Sequence, residues 1–210
     1  RQASALIRNS RGESVPTSHT VTSIYNLALD IVCENPVTSP SDVGPFARWL
    51  NRNFVHYVET ALRQNPWNFA VFPYSLNKAV DAPAFRWTYY YDLPNGWLRV
   101  LPLTEFGDRG GLPIAHEVKG NRLLTSQGDP LRVEIVMNVQ DPGQWDPLFA
   151  SMIGARLAQG MAHRFTHKAS FVDRAKQLAA EAYETAELVN AFEGSFEPTE
   201  QFDILRVRGL

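Results

Sequence analysis

The segment Asn65-Pro66 divides the chain into a helical part and a strand-rich part. Proline cannot donate a helix hydrogen bond and disfavours the helical conformation of the residue before it, so the preceding helix ends here. Beyond it, Trp67 and Phe69 have the spacing of two side chains on one side of an extended segment. We therefore predict that both belong to the structural core, at the joint between a helical layer and a sheet.

Four stretches of helical periodicity flank the strand-rich part, two on each side. The first helix begins near Thr20 and ends before Asn35-Pro36, and Asp42 is predicted to cap the second. The third, capped by Asp146, spans about Pro147 to Phe165. The apolar positions of the fourth form a seam rich in alanine: Val172, Ala175, Ala179, Ala182, Ala186 and Val189. Both later helices are therefore suited to close packing against other helices.

Alternating apolar residues predict strands between the two helix pairs. The segment Phe85 to Tyr91 leads through a turn at 93–96 into a second strand from Trp97 to Leu103, which is the pattern of a β-hairpin. Two shorter strands flank Gly120-Asn121, and Leu131 to Val139 is a strand with one apolar face. Three further aromatic residues of this region are placed in the structural core: Trp87, Tyr89 and Trp97.

This order of elements predicts an α+β fold, with an antiparallel β-sheet inserted into a helical bundle of two N-terminal and two C-terminal helices. A chain of 210 residues is long enough to bury one substantial core. The predicted parts are a flexible arm at 1–19, the bundle at 20–66 and 144–193, the β region at 67–143, and an extended tail at 194–210.

Composition and charge exclude several classes of protein. Hydrophobic residues make up 44% and charged residues 20%, which excludes a disordered chain. The net charge of -2 argues against a polyanion binder with a uniformly basic surface, although arginines without acids occupy residues 1–11 and acids without lysine or arginine occupy 177–205. The single Cys33 is expected to be a buried, inert thiol of a reducing compartment. No apolar run has the length of a membrane span or the position of a signal peptide.

Few residues have the type and spacing of a catalytic or metal site. His163 and His167 share a helix face at the spacing of two zinc ligands, but no third ligand is signalled and the glutamate of the metalloprotease motif is absent. The segment Arg86 to Tyr91 could stack nucleic-acid bases or be an ordinary half-buried strand. Three glutamates are more typical of a solvated helix face than of an acid/base pair: Glu181, Glu184 and Glu187. We therefore expect no cofactor and no enzymatic activity.

Short motifs occur in a fixed order between Ile24 and Phe192. They are Asn26-Leu27-Ala28-Leu29, Ala61-Leu62-Arg63 with Pro66-Trp67-Asn68-Phe69-Ala70, Tyr89-Tyr90-Tyr91-Asp92-Leu93-Pro94 with Trp97-Leu98-Arg99-Val100, and Arg156-Leu157-Ala158. Together they resemble the head-to-tail adaptor proteins of tailed bacteriophages, including the tail tubular protein A or gatekeeper group and the connectors of gene transfer agents.

The resemblance implies a non-enzymatic virion protein that forms a ring, typically of twelve copies, under the portal at the head–tail junction. The implied partners are the portal protein, a tail tube, nozzle or stopper protein, further copies of the chain, and genomic DNA that passes without sequence-specific binding. Assembly would take place in the host cytoplasm. A terminal segment commonly docks on the portal in such connectors, and the tail supplies the candidates Phe202, Ile204, Leu205, Arg206, Val207 and Arg208.

A cyclic ring needs two different contact faces on each subunit. The candidates are Arg48 and Arg52 on the second helix and Ala150, Gly154 and Ala158 on the third. The glutamates at 181, 184 and 187 would line the channel, because a negatively charged surface does not bind the phosphates of passing DNA. Three alternatives stay open: a nucleic-acid-binding module built from the aromatic strand and arginines, a zinc-dependent enzyme at His163 and His167, and a carbohydrate-binding tail component.

Overall fold

The computed structural model describes residues 19–104, 112–165 and 169–193, which form an α+β fold with helices and two small antiparallel sheets. The predicted fold class is therefore confirmed. The helices are α1 (Val21–Ile31), α2 (Pro45–Gln64), α3 (Pro147–Phe165) and α4 (Ala169–Glu193). The strands are β1 (Val71–Leu76), β2 (Tyr89–Asp92), β3 (Trp97–Val100), β4 (His116–Lys119), β5 (Arg122–Thr125) and β6 (Leu131–Met137).

The helix ends follow the capping residues of the sequence with one exception. Thr20 and Ser23 form a reciprocal capping box at the start of α1, and the Asp146 carboxylate accepts the Leu148 N–H at 2.7 Å at the start of α3. The prediction that Asp42 caps α2 is wrong, because its carboxylate instead accepts the Thr38 N–H at 2.8 Å. The second helix begins later, with Pro45 in its first turn.

Helix α3 is the centre of the fold and packs against the other three helices. A methyl group added at Gly154 would lie 2.7 Å from Leu27 Cδ2, so this glycine lets α1 approach closely. Ala150 and Ala158 are buried with it. These three residues, predicted as a contact between subunits, are thus already buried by packing inside the chain.

The strands pair in a different way from the predicted hairpin. One sheet has the order β1-β6-β3 and the other β2-β5-β4, with every pair antiparallel. The turn at 93–96 therefore carries the chain from one sheet to the other, so the prediction that β2 and β3 pair is wrong. Alternation of apolar residues indicates that a strand exists but does not determine with which strand it pairs. The two short strands predicted on either side of Gly120-Asn121 are confirmed, and in the structure they pair with each other as β4 and β5.

Two strand boundaries also differ from prediction. Arg86 adopts a φ of 71°, outside the extended region, and β2 starts only at Tyr89. β6 ends at Met137 instead of Val139. Its side chains at 131, 133 and 135 face the second sheet, whereas Val136 belongs to the helical core. β6 thus joins the two cores.

The joint after α2 is compact. The Trp67 indole N–H donates to the Ala61 carbonyl at 2.9 Å, and the rings of Trp67 and Phe69 lie 5.0 and 4.9 Å from that of Phe149. Asn68–Ala70 is one turn of 3₁₀ helix, so the predicted extended conformation is wrong, but both aromatic residues do pack at the joint.

Two of four further residues differ in their burial from prediction. Tyr89 and Trp97 pack against the core between the sheets. Trp87 is only half-buried and belongs to neither core. Cys33 is exposed, because the chain leaves α1 there with a φ of 58° that turns it away from the bundle. The predicted burial of Trp87 in the core and of the Cys33 thiol is therefore wrong.

Candidate interaction surfaces

The charges of the helical part are segregated and form no ion pair closer than 4 Å among the described residues. Within the described residues, every ion pair closer than 4 Å lies in the β region. Arginines cluster where α2 begins and α3 ends, whereas no lysine or arginine follows Lys176 in the described part of α4. The helical part therefore presents a basic surface and an acidic surface at different places.

The basic surface is a cleft between the first turns of α2 and the last turn of α3, here called the arginine cleft. Its volume is about 300 Å³. It is lined by Pro45, Arg48, Trp49, Arg52, Arg164 and Phe165. The Phe165 ring is fixed by Phe46, with centroids 4.7 Å apart. The cleft thus combines three guanidinium groups with apolar side chains, and no carboxylate lines it among the residues that the structure describes.

Close helix packing sets the shape of this cleft. A methyl group at Gly160 of α3 would lie 2.6 Å from Trp49 Cη2 and would also collide with the Tyr57 hydroxyl. The glycine therefore lets the edge of the Trp49 ring approach α3 closely beside the arginines. The sequence identified Arg48 and Arg52 but missed Trp49, Arg164 and Phe165, because only the antiparallel packing of α2 on α3 brings them together.

The acidic surface is the outer side of α4, here called the acidic flank and defined by Glu181, Glu184, Leu188 and Phe192. Leu188 is 57% exposed and Phe192 77% exposed. They are four residues apart and therefore neighbours on the helix. Both glutamates are exposed, and Glu181 accepts a hydrogen bond from Gln177 at 2.8 Å. The flank thus carries an apolar pair beside its acids.

Glu187 points in another direction from this flank. Positions three residues apart differ by about 60° around a helix, so Glu181, Glu184 and Glu187 spread over about 120°. Glu187 lies beside Tyr183, whose hydroxyl is 3.4 Å away. The predicted channel-lining glutamates therefore cannot all face one narrow surface.

Arg156 marks a third charged position, in a groove of about 520 Å³ between α2 and α3. Its guanidinium stacks on Tyr183 at 4.8 Å and donates to the Gln64 side-chain oxygen at 2.8 Å. Burial lowers the pKa of this guanidinium, while the nearby Tyr183 opposes the change. Arg156 thereby ties α3 to both flanking helices, as a structural cation.

A cavity of about 470 Å³ lies where the end of α4 meets the β region. One wall is formed by Asn190, which the sequence did not single out. Its side-chain oxygen accepts the Asn68 N–H at 2.8 Å, and its amide donates to the Pro66 carbonyl at 3.1 Å. Asn190 therefore docks α4 on the Pro66 joint.

The outer face of the second sheet holds the aromatic and basic residues that raised the nucleic-acid hypothesis. Arg86 lies 5.1 Å from the Trp87 ring, and Arg122 lies 5.0 Å from the Tyr90 ring. Glu117 accepts the Trp87 indole N–H at 3.0 Å and pairs with Lys119 at 3.1 Å. The hydrogen bond from Trp87 and then the one from Lys119 lower the pKa of Glu117.

The cations of this face are balanced by acids. Four cations of the β region pair with four carboxylates. The cations are Lys78, Arg86, Lys119 and Arg122, and the carboxylates are Asp81, Asp92, Glu117 and Asp129. These pairs therefore add no net charge to this face, and paired cations contribute less to phosphate binding than free ones.

Of the predicted metal ligands and tail residues, only His163 lies within the described part of the chain. His163 is exposed at the end of α3, and His167 lies outside the described residues. Among residues 19–104, 112–165 and 169–193, no group of three His, Cys, Asp or Glu side chains could hold a metal ion. The predicted docking residues also lie outside the described part: Phe202, Ile204, Leu205, Arg206, Val207 and Arg208.

No protein-family model matches the sequence, and no curated protein matches it at a significant level. Among the helices that the structure describes, none has both the length and the apolar character needed to cross a bilayer.

Proposed function

We propose that this chain is a structural subunit of a ring that joins the portal of a tailed-phage capsid to the tail and encloses part of the DNA channel. The ring is dodecameric by analogy with the adaptors that the sequence motifs resemble. Its partners are the portal protein, a tail tube, nozzle or stopper protein, and further copies of itself. Genomic DNA passes through the ring without sequence-specific binding.

The observation that carries this proposal is the presence of two complementary surfaces at different places on the helical part. A closed ring is built from heterologous contacts, in which one face of a subunit meets a different face of its neighbour. The arginine cleft and the acidic flank differ in sign, and both offer apolar side chains for burial.

The paired charges of the β region argue against the nucleic-acid-binding alternative. Free lysines and arginines are what release counterions from DNA and provide its affinity. Here the four cations nearest the exposed aromatic rings are held by four acids. A DNA-binding assay of the purified chain with increasing salt would restore this alternative if binding were tight and fell steeply with salt.

The proposal is tested by a co-sedimentation assay, which measures binding of the full chain to its cognate portal ring. The full chain should sediment with the portal, and a version ending at Glu193 should fold but stay unbound, because it lacks the proposed docking tail. Unchanged binding of the shortened chain would place the docking surface elsewhere. A full chain that never binds the portal contradicts the proposed function.

A further inference from the structure

We propose that the acidic flank of one copy docks into the arginine cleft of the next copy, and that this contact closes the ring. The inference rests on the proposed function, which supplies the second copy as the occupant. It assigns Glu181 and Glu184 to a contact between subunits instead of the channel wall.

The two surfaces match in charge. The cleft lining contains Arg48, Arg52 and Arg164 and no carboxylate. The flank presents Glu181 and Glu184, with no cation within 4 Å among the described residues. Guanidinium groups pair well with carboxylates, and the fork geometry of arginine adds direction to the contact.

The two surfaces also match in their apolar parts. Leu188 and Phe192 form a ridge one turn long beside the glutamates, and both are largely exposed. The floor of the cleft is formed by Trp49 and Phe165 between the arginines. Large apolar side chains on a surface mark a contact site more often than a wall along which DNA slides.

Charge exchange tests the contact. One variant carries Glu181→Lys and Glu184→Lys, and a second carries Arg48→Glu and Arg52→Glu. All four side chains are exposed, so both variants should fold, as checked by circular dichroism. Each variant alone should lose ring formation, seen by sedimentation velocity and electron microscopy. An equal mixture should recover it, because every junction in an alternating ring again joins opposite charges.

A control variant with Asp30→Lys and Glu34→Lys changes two exposed acids outside both surfaces and should form rings like the native chain. Ring formation by both variants on their own, or a mixture that fails to assemble, would overturn this contact. Either result would leave the proposed ring itself untouched. A native chain that forms no ring, alone or on the portal, would instead contradict the proposed function.

Discussion

The rings of Trp67 and Phe149 meet edge to face with their centroids 5.0 Å apart. This contact fixes the end of α2 to the first turn of α3, although the two residues lie far apart in the sequence. The Trp67 indole N–H is satisfied at the same time by the Ala61 carbonyl, so the joint buries a large ring without leaving a polar atom unpaired. The orientation of the helical part relative to the first sheet depends on this joint.

Replacing Trp67 by Ala should therefore lower the free energy of unfolding by about 3–5 kcal/mol, as for other buried aromatic residues. Urea denaturation measures the change. Trp87→Ala is the matched control, because Trp87 is half-buried and outside both cores, and it should cost clearly less. Equal losses for the two variants would contradict the central place of Trp67.

The sequence predicted the helices better than the strand partners, for physical reasons. A proline and an N-cap act on neighbouring residues, so the end of α2 before Pro66 and the start of α3 at Pro147 could be placed correctly. The pairing of β2 with β5 depends on contacts between distant segments and left no local signal.

Removal of the Asn190 side chain should loosen the end of α4. Asn190→Ala loses the acceptor for the Asn68 N–H and the donor to the Pro66 carbonyl, at a cost of about 1–3 kcal/mol. Hydrogen exchange should quicken at residues 186–193. Glu193→Ala, at the exposed end of the same helix, is the control and should leave exchange there nearly unchanged. Equal protection in both variants would show that Asn190 does not hold the helix.

The two glycines of α3 should respond differently to alanine. At Gly160 the added methyl meets the Trp49 ring and the Tyr57 hydroxyl, so Gly160→Ala should destabilise by about 1–3 kcal/mol and distort the arginine cleft. At Gly154 it meets only the Leu27 side chain, which is 37% exposed and can turn away. Thermal unfolding compares the two, and a larger loss for Gly154→Ala would contradict the packing described.

Acid should weaken the outer face of the second sheet through Glu117. Its pKa lies below the ordinary value of 4.5 because the folded chain stabilises the carboxylate. The resulting stability is present above pH 4.5 and is lost as the pH falls through the folded pKa. Glu117→Gln should flatten this acid dependence. The NMR signal of the Trp87 indole N–H, recorded as a function of pH, measures the change.

The control for that experiment is Glu184→Gln, since Glu184 is exposed and has no ion partner among the described residues. This variant should keep the acid dependence of the native chain. If Glu117→Gln also keeps it, the carboxylate contributes nothing to the stability of the sheet.

The candidate surfaces were only partly visible in the sequence. Arg48 and Arg52 stand out on the solvated face of α2, and the exposed pair Leu188 and Phe192 could be found by their position off the alanine seam. The contribution of Arg164 could not, because it reaches the cleft only when the end of α3 packs beside the start of α2. Sites assembled from distant segments require the tertiary structure.

Electron microscopy of the full chain incubated with its cognate portal ring tests the central proposal most directly. The account predicts a closed ring of this chain, stacked coaxially on the portal, with an open channel along the common axis. A chain that remains monomeric in the presence of the portal and adds no density to it would contradict the account.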